Sequence, residues 1–225
     1  MTFHFNSELE KFDLEINGLE SGKLYFVSSS DGLEATAFCN TATLGVAENG
    51  TKVSYLSVRD SCNEIFRDFV KCKSDISYKD IGKLEISDKI KQTLEYLSAL
   101  PIYMIDNDYL SKDELLNQLE KEVDSRKSKV IVIDRLDYTD FFTNITDDEQ
   151  SALFEELRDF AIHNDVCLVI SIPVDRRINV TDTKLHFELF EDSANCMIAY
   201  LNNQTIDIPL YFASDCTKIT EGVAS

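Results

Sequence analysis

The chain has no apolar run of transmembrane length, and its first residues, Met1-Thr-Phe-His-Phe-Asn6, lack the basic-then-apolar order of a signal peptide. A membrane partner is therefore not expected, and a soluble, cytoplasmic protein is. None of the six cysteines (Cys39, Cys62, Cys72, Cys167, Cys196, Cys216) stands in a C-x-x-C pair, so they read as reduced thiols rather than a zinc site or disulfide framework. The three histidines, His4, His163 and His186, are isolated, and no metal cluster is expected. Basic residues are scarce: 22 Lys and Arg face 41 Asp and Glu, a formal net charge of −19. Nucleic-acid phosphates repel such a chain unless it carries a local basic patch, so direct nucleic-acid binding is not expected. The adjacent arginines Arg176-Arg177 give weak support for DNA contact. The acidity reads as solubility, since no ordered spacing of carboxylates suggests mimicry of nucleic acid.

What the chain does have is apolar residue in quantity. Hydrophobic residues make up 44% of 225, enough for one sizeable α/β domain over 1–225, with 1–20 as a lead-in. Short apolar runs bounded by turn residues predict buried strands at Leu24–Val27, Lys52–Val58, Pro101–Asp106, Lys129–Asp134, Val166–Ile172 and Cys196–Leu201. Helical periodicity separates them. A helix starts near Glu34 with Phe38, Ala42 and Val46 on one face and ends at Asn49-Gly50. A second, capped by Asp60-Ser61, turns Ile65, Phe66, Phe69 and Val70 inward. Residues 75–100 predict two short helical pieces, the later one carrying Ile90, Leu94 and Leu97. Ser111-Lys-Asp-Glu114 is a capping box before Leu115, Leu119 and Val123. Asp137–Gln150 reads as a long polar loop, and 147–164 as a helix with Leu153, Leu157, Phe160 and Ala161 inward. Residues 174–186 read as loop, and Ile206–Phe212 with Thr217–Ile219 as a terminal hairpin. Alternating strands and helices predict a mostly parallel sheet covered on both faces, with an antiparallel C-terminal edge.

The stretch Gly22–Phe38 is a strand, a small-residue loop and a helix start. A phosphate cradle of the form G-x-x-x-x-G-K-[ST] would sit there. Counting back from Thr36, the lysine position holds Ala35, the second glycine position Glu34 and the first Ser29. A triphosphate would meet a methyl group where it needs a cation, beside a carboxylate. A plain strand–turn–helix with no nucleotide ancestry stays open on this stretch alone. Asp134 closes the clearest buried strand, where a magnesium-bound water is held in nucleotide hydrolases, although a carboxylate capping a loop fits equally well.

Taken together, several segments resemble the C-terminal, RecA-like motor domain of DnaB-type replicative DNA helicases. Gly18–Val27 is similar to that family's glycine-containing lead-in and first strand, and Ala35-Thr-Ala-Phe38 to the end of its Walker A motif. Leu97–Asp106 and Leu110–Leu116 are similar to its next strand entry and helix, and Val130–Asp134 to its Walker B strand. Leu168–Ser171 resembles the strand before its sensor, and Ser193–Tyr200 a late strand after an acidic stretch. The order is the family's over most of the chain.

The resemblance implies a RecA-like P-loop fold and, in the family, ATPase chemistry. Here the Walker A lysine falls at Ala35, the catalytic glutamate near Val58-Arg59 and the sensor glutamine at Ile172. Only Thr36 and Asp134 match the nucleotide and metal apparatus, as a vestigial pair. No catalytic residue, metal or cofactor is expected, and the chain reads as a degenerate domain that binds or regulates in DNA replication or recombination. Its partner would be a protein, such as a related helicase subunit or a second copy of itself. The alternative is a DNA-dependent ATPase, with ATP and magnesium, that uses a relocated lysine such as Lys23 or Lys52. The family's channel-facing loop after Walker B would correspond to Asp137–Glu149, which has no Lys or Arg but has Phe141 and Phe142.

Overall fold

A computed structural model describes residues 1–5, 18–29, 33–74, 88–107, 110–172, 196–201, 210–212 and 217–218. Its sheet is built by alternation along short strands. In β3 (Leu24–Ser29), Leu24 and Phe26 face one core while Tyr25 and Val27 face the other. The same split recurs in β6 (Val130–Asp134) and β7 (Cys167–Ser171), so both faces of the sheet are apolar and both are covered. The main sheet also takes in β4 (Val53–Ser57), β5 (Ile102–Asp106), β8 (Cys196–Leu201), β9 (Leu210–Phe212) and β10 (Thr217–Lys218). Its strand order is β10-β9-β8-β3-β7-β6-β4-β5. From β8 to β5 every neighbouring pair is parallel, and β9 and β10 run antiparallel as the expected edge.

Among the described residues, five long helices and one short one lie between the strands. Helix α1 (Leu33–Glu48), α2 (Cys62–Ser74) and α3 (Asp88–Ala99) cover the face that holds Tyr55 and Val132. Helix α4 (Lys112–Asp124), the short α5 (Asp140–Thr143) and α6 (Asp147–Asn164) cover the face that holds Leu56 and Ile133. The helix starts follow side-chain chemistry. Ser111 and Thr146 each accept from the backbone N–H three residues on, and Glu114 and Glu149 accept in return from the cap residue. Ser61 and Glu64 make the same exchange at the start of α2.

Four features differ from the sequence reading. Helix α1 has no single inner face: from Ala35 to Ala47 only Ala37 is exposed and only Thr41 half-exposed, because α2 packs on one side and Phe3 and Phe5 lie in the same core. Residues 137–150 are not a long loop. A 3-10 turn (Leu136–Tyr138), α5 and the start of α6 use up the segment, and buried Leu136 and Phe142 anchor it to the core. On α4, Val123 is only half-buried while Glu122 is 1% exposed. On α6, Phe160 is half-buried and Phe154 takes the inner position, edge-on to Phe26 with ring centroids 4.7 Å apart. The earlier helical piece expected within 75–100 and the loop 174–186 fall outside the described residues.

The lead-in adds a small ribbon that periodicity did not reveal: β1 (Thr2–Phe3) pairs antiparallel with β2 (Leu19–Glu20). Gly18 makes that ribbon possible. Its φ is +79°, and a Cβ there would stand 2.8 Å from the Phe3 carbonyl oxygen and the Thr2 methyl.

Glu122 is buried because it is fully engaged. Its carboxylate accepts from Ser54 Oγ at 2.6 Å and Gln118 Nε2 at 2.5 Å, and pairs with Arg126 Nε at 3.1 Å. Ser54 also meets Ser128 Oγ at 2.6 Å. This network ties α4 and the turn before β6 to the start of β4. Glu122→Ala strands these donors in the interior, so we expect a loss of about 3 kcal/mol in unfolding free energy, measured by urea titration. A loss below about 1 kcal/mol would show that the network is dispensable.

Candidate functional site

Parallel strands place their carboxyl ends on one side, where open α/β sheets hold ligands. The registers Ser57↔Asp134 and Ser57↔Asp106 put three polar residues in one row across β5, β4 and β6. Ser171 ends β7 beside them, one step beyond the Ile133↔Ile170 pair. The N-terminal turn of α1 comes back over this row and brings Thr36 with it.

Asp134 is the centre. It is completely buried, and both of its carboxylate oxygens accept from Thr36 Oγ1, at 3.0 and 3.1 Å. Ser171 Oγ donates a short hydrogen bond to Oδ1 of the same carboxylate. The Ser171 hydroxyl in turn accepts from the Arg135 backbone N–H at 2.8 Å. Arg135 has φ +65°, which ends β6 and throws the chain into the following 3-10 turn. The Tyr55 hydroxyl faces Asp134 as well, close enough to feel its charge, but it is buried without a well-formed hydrogen bond. Burial pushes the Asp134 carboxyl above its ordinary value, although the Ser171, Thr36 and Tyr55 hydroxyls pull the other way. Burial, and then the Asp134 charge, also push the Cys39 thiol and the Tyr55 phenol well up.

Thr36 and Asp134, far apart in sequence, are in direct contact. Ala35 is completely buried in the first turn of α1, and Val58 is 3% exposed in the opposite core layer. Ile172 is half-buried, and its N–H donates to the Val27 carbonyl at 3.0 Å. Lys23 precedes β3 and pairs with Glu20 at 3.0 Å, while Lys52 precedes β4 and donates to the Arg126 carbonyl at 3.3 Å. Both therefore lie at the amino ends of their strands, across the sheet from Asp134. Phe142 is buried and Phe141 half-buried against the core, so neither ring is presented for stacking. Arg176 and Arg177 lie outside the described residues. Among the described residues no group of His, Cys, Asp and Glu could hold a metal, and no helix is long and apolar enough to cross a membrane.

Sequence reasoning missed the side-chain roles of Ser171, Tyr55 and Arg135. Ser171 carried a signal, since it ends a strand as Asp134 does. Tyr55 sat unmarked in an alternating strand. Next to them, the Arg135 guanidinium forks onto Asp137, with two contacts of 2.9 Å, and lies 4.5 Å over the Tyr138 ring. Arg59 approaches the same ring at 6.0 Å and binds Asp60 at 2.9 Å.

The family model of the DnaB-like helicase C terminal domain matches residues 5–185. The chain belongs to this family. Its fold is similar to that of a solved ATPase domain, with TM-score 0.77 and 15% identity over 95% of this chain and 85% of that one. It is also similar to a DnaB-like replicative helicase solved in a study of its interactions with primase, with TM-score 0.74 and 16% identity over 89% of this chain. The alignment spans only 53% of that helicase. A KaiC-like protein from the archaeon Pyrococcus horikoshii follows with TM-score 0.56 and 13% identity, over 89% of this chain and 82% of that one. No curated protein matches the chain. At these identities the structural likenesses establish the RecA-like fold that the sequence implied.

A buried carboxylate with a raised proton affinity leaves a mark on stability. The folded state holds the Asp134 proton more tightly than the unfolded chain does. Its contribution is therefore fully present below the unfolded value of about 3.9 and is lost as pH rises through the raised folded value. Asp134→Asn should remove that fall. The difference between wild-type and variant melting temperatures should widen in favour of the variant from acid to neutral pH. Parallel curves would show that Asp134 does not titrate above its ordinary range.

Proposed function

We propose that this domain is a degenerate member of its family that binds and regulates in DNA replication or recombination and does not hydrolyse ATP. The carrying observation is at the first turn of α1. Ala35 stands there fully buried, where phosphoryl transfer needs a cation on the terminal phosphates. The residues present fit a bound triphosphate and magnesium poorly. Thr36 and Asp134 are spent on each other, and the place of a water-activating carboxylate after β4 falls near Val58-Arg59, a buried aliphatic side chain followed by a cation. A phosphate cation, a general base and a sensor supply most of the charge stabilisation such a transition state receives, and losing all three removes it.

What remains is a rigid site in which hydroxyls satisfy the carboxylate. That supports a role resting on shape and surface, with a protein as partner. The structural relative studied with primase makes a replication protein a reasonable class of partner. The alternative, an ATPase with a relocated lysine, is disfavoured by the position of Lys23 and Lys52 at the amino ends of β3 and β4. A strand rises about 3.3 Å per residue, so five residues place either lysine roughly 15 Å from Asp134.

The test is an ATPase assay on the pure protein with magnesium, with and without single-stranded DNA, beside Asp134→Asn. We expect no turnover above the variant and no heat on titrating ATP and magnesium in a calorimeter. Turnover abolished by Asp134→Asn would overturn the reading.

A further inference from the structure

We propose that the turn after β6 is a docking surface for a protein segment rich in lysine and arginine, with Tyr138 as its anchor. This deepens the binding role above by naming the chemistry of the partner, and it rests on that reading only for the idea that a protein contact is the output.

Tyr138 is 51% exposed, only four residues beyond the completely buried Asp134. The ring is held in place by its neighbours. The Arg135 guanidinium lies 4.5 Å over it, is itself almost fully buried, and is fixed by its fork onto Asp137. Arg59, carried by the chain after β4, approaches the same ring at 6.0 Å. Buried Leu136 and Phe142 pin the turn, and Thr139 Oγ1 donates to the Leu136 carbonyl at 2.8 Å. An exposed ring whose position is already fixed gives up little conformational freedom on contact. Tyrosine and arginine are also the residue types that most often carry affinity at protein interfaces. Tyr96, exposed to a similar degree, is placed differently, because its hydroxyl donates to Glu48 at 2.7 Å.

Charge then selects the partner. The two arginines are engaged with carboxylates rather than offered to a phosphate. Arg59 is matched by Asp60 at 2.9 Å and Arg135 by Asp137 at 2.9 Å, so the ring rests on ion pairs. The surrounding chain is acidic. Residues 137–149 contain no Lys or Arg, and Asp140, Asp148 and Glu149 are exposed. Glu64, exposed in the first turn of α2, lies near enough to Arg59 to feel its charge. A nucleobase could stack on such a ring, but its phosphates would meet these carboxylates. A segment that sets an apolar side chain on the ring and lysines or arginines around it meets them favourably. With a screening length of about 8 Å at physiological salt, the carboxylates nearest the ring act while the remaining acidic surface is largely screened.

The chain contains no tryptophan, so Tyr138→Trp places a single fluorescent reporter at this surface. Titrating the full chain with a lysine–leucine peptide should shift its emission to the blue, saturably, and less so as salt is raised. A glutamate–leucine peptide and a thymidine oligonucleotide should leave the emission unchanged. A chain of net charge −19 attracts basic peptides over much of its surface, so dependence on the ring is what separates docking from general attraction. In calorimetry with the lysine–leucine peptide, Tyr138→Ala should bind about tenfold or more weakly than the wild type, while Tyr96→Ala should bind as the wild type does. Absence of the shift would overturn the proposal. So would an equal shift with the oligonucleotide, or wild-type affinity in Tyr138→Ala. None of these readouts involves ATP, so they stand or fall independently of the ATPase assay.

Discussion

One buried carboxylate sets the terms for the rest of this molecule. Asp134 lies in the interior, where an isolated charge is costly, and it is kept there by hydroxyls from two other elements. Thr36 ties it to the start of α1 and Ser171 ties it to the end of β7. The same Ser171 accepts the N–H of Arg135, so the bend after β6 is fixed by the group that steadies the carboxylate. Helix α1, buried on almost every side, is thereby fastened at its N-terminal turn to two strands of the sheet. These side-chain contacts join the three elements around the carboxylate.

The sheet was legible in advance because its strands are buried on both faces. Val130-Ile-Val-Ile133 and Cys167-Leu-Val-Ile170 announce themselves as unbroken apolar runs, and the capping box at Ser111 marks a helix start by chemistry rather than by propensity. Three things were less legible. Glu122 looks like a surface charge in a helix, because its partners Ser54 and Ser128 come from distant parts of the chain. The segment after Asp134 looks like a loop because its polar residues outnumber Leu136 and Phe142, yet those two side chains decide its conformation. The β1–β2 ribbon is too short to show periodicity, and only the glycine at position 18 hinted at it.

Of the candidate site, Thr36 and Asp134 were found from motif position, and the structure joins them directly. The supporting residues were not found, since a tyrosine in an alternating strand carries no mark of the carboxylate it will face. The lysines at positions 23 and 52 were candidates by residue type alone. Each directly precedes its strand, so the parallel pairing puts both at the opposite ends of the strands from Asp134. The phenyl rings at positions 141 and 142 show the same limit, because an aromatic pair in a polar segment can stack on a ligand or anchor a turn. Here Phe142 anchors.

The parallel order has a cost during synthesis. β3 emerges early, but Leu24 pairs with Leu168 on one side and Cys196 on the other. At ribosomal speeds of roughly 5–20 residues per second, its first partner arrives on the order of ten seconds later. For that interval Leu-Tyr-Phe-Val is an apolar segment with two bare flanks, open to clumping with other chains. A strand flanked on both sides in the finished sheet is thus exposed on both sides while the chain is being made.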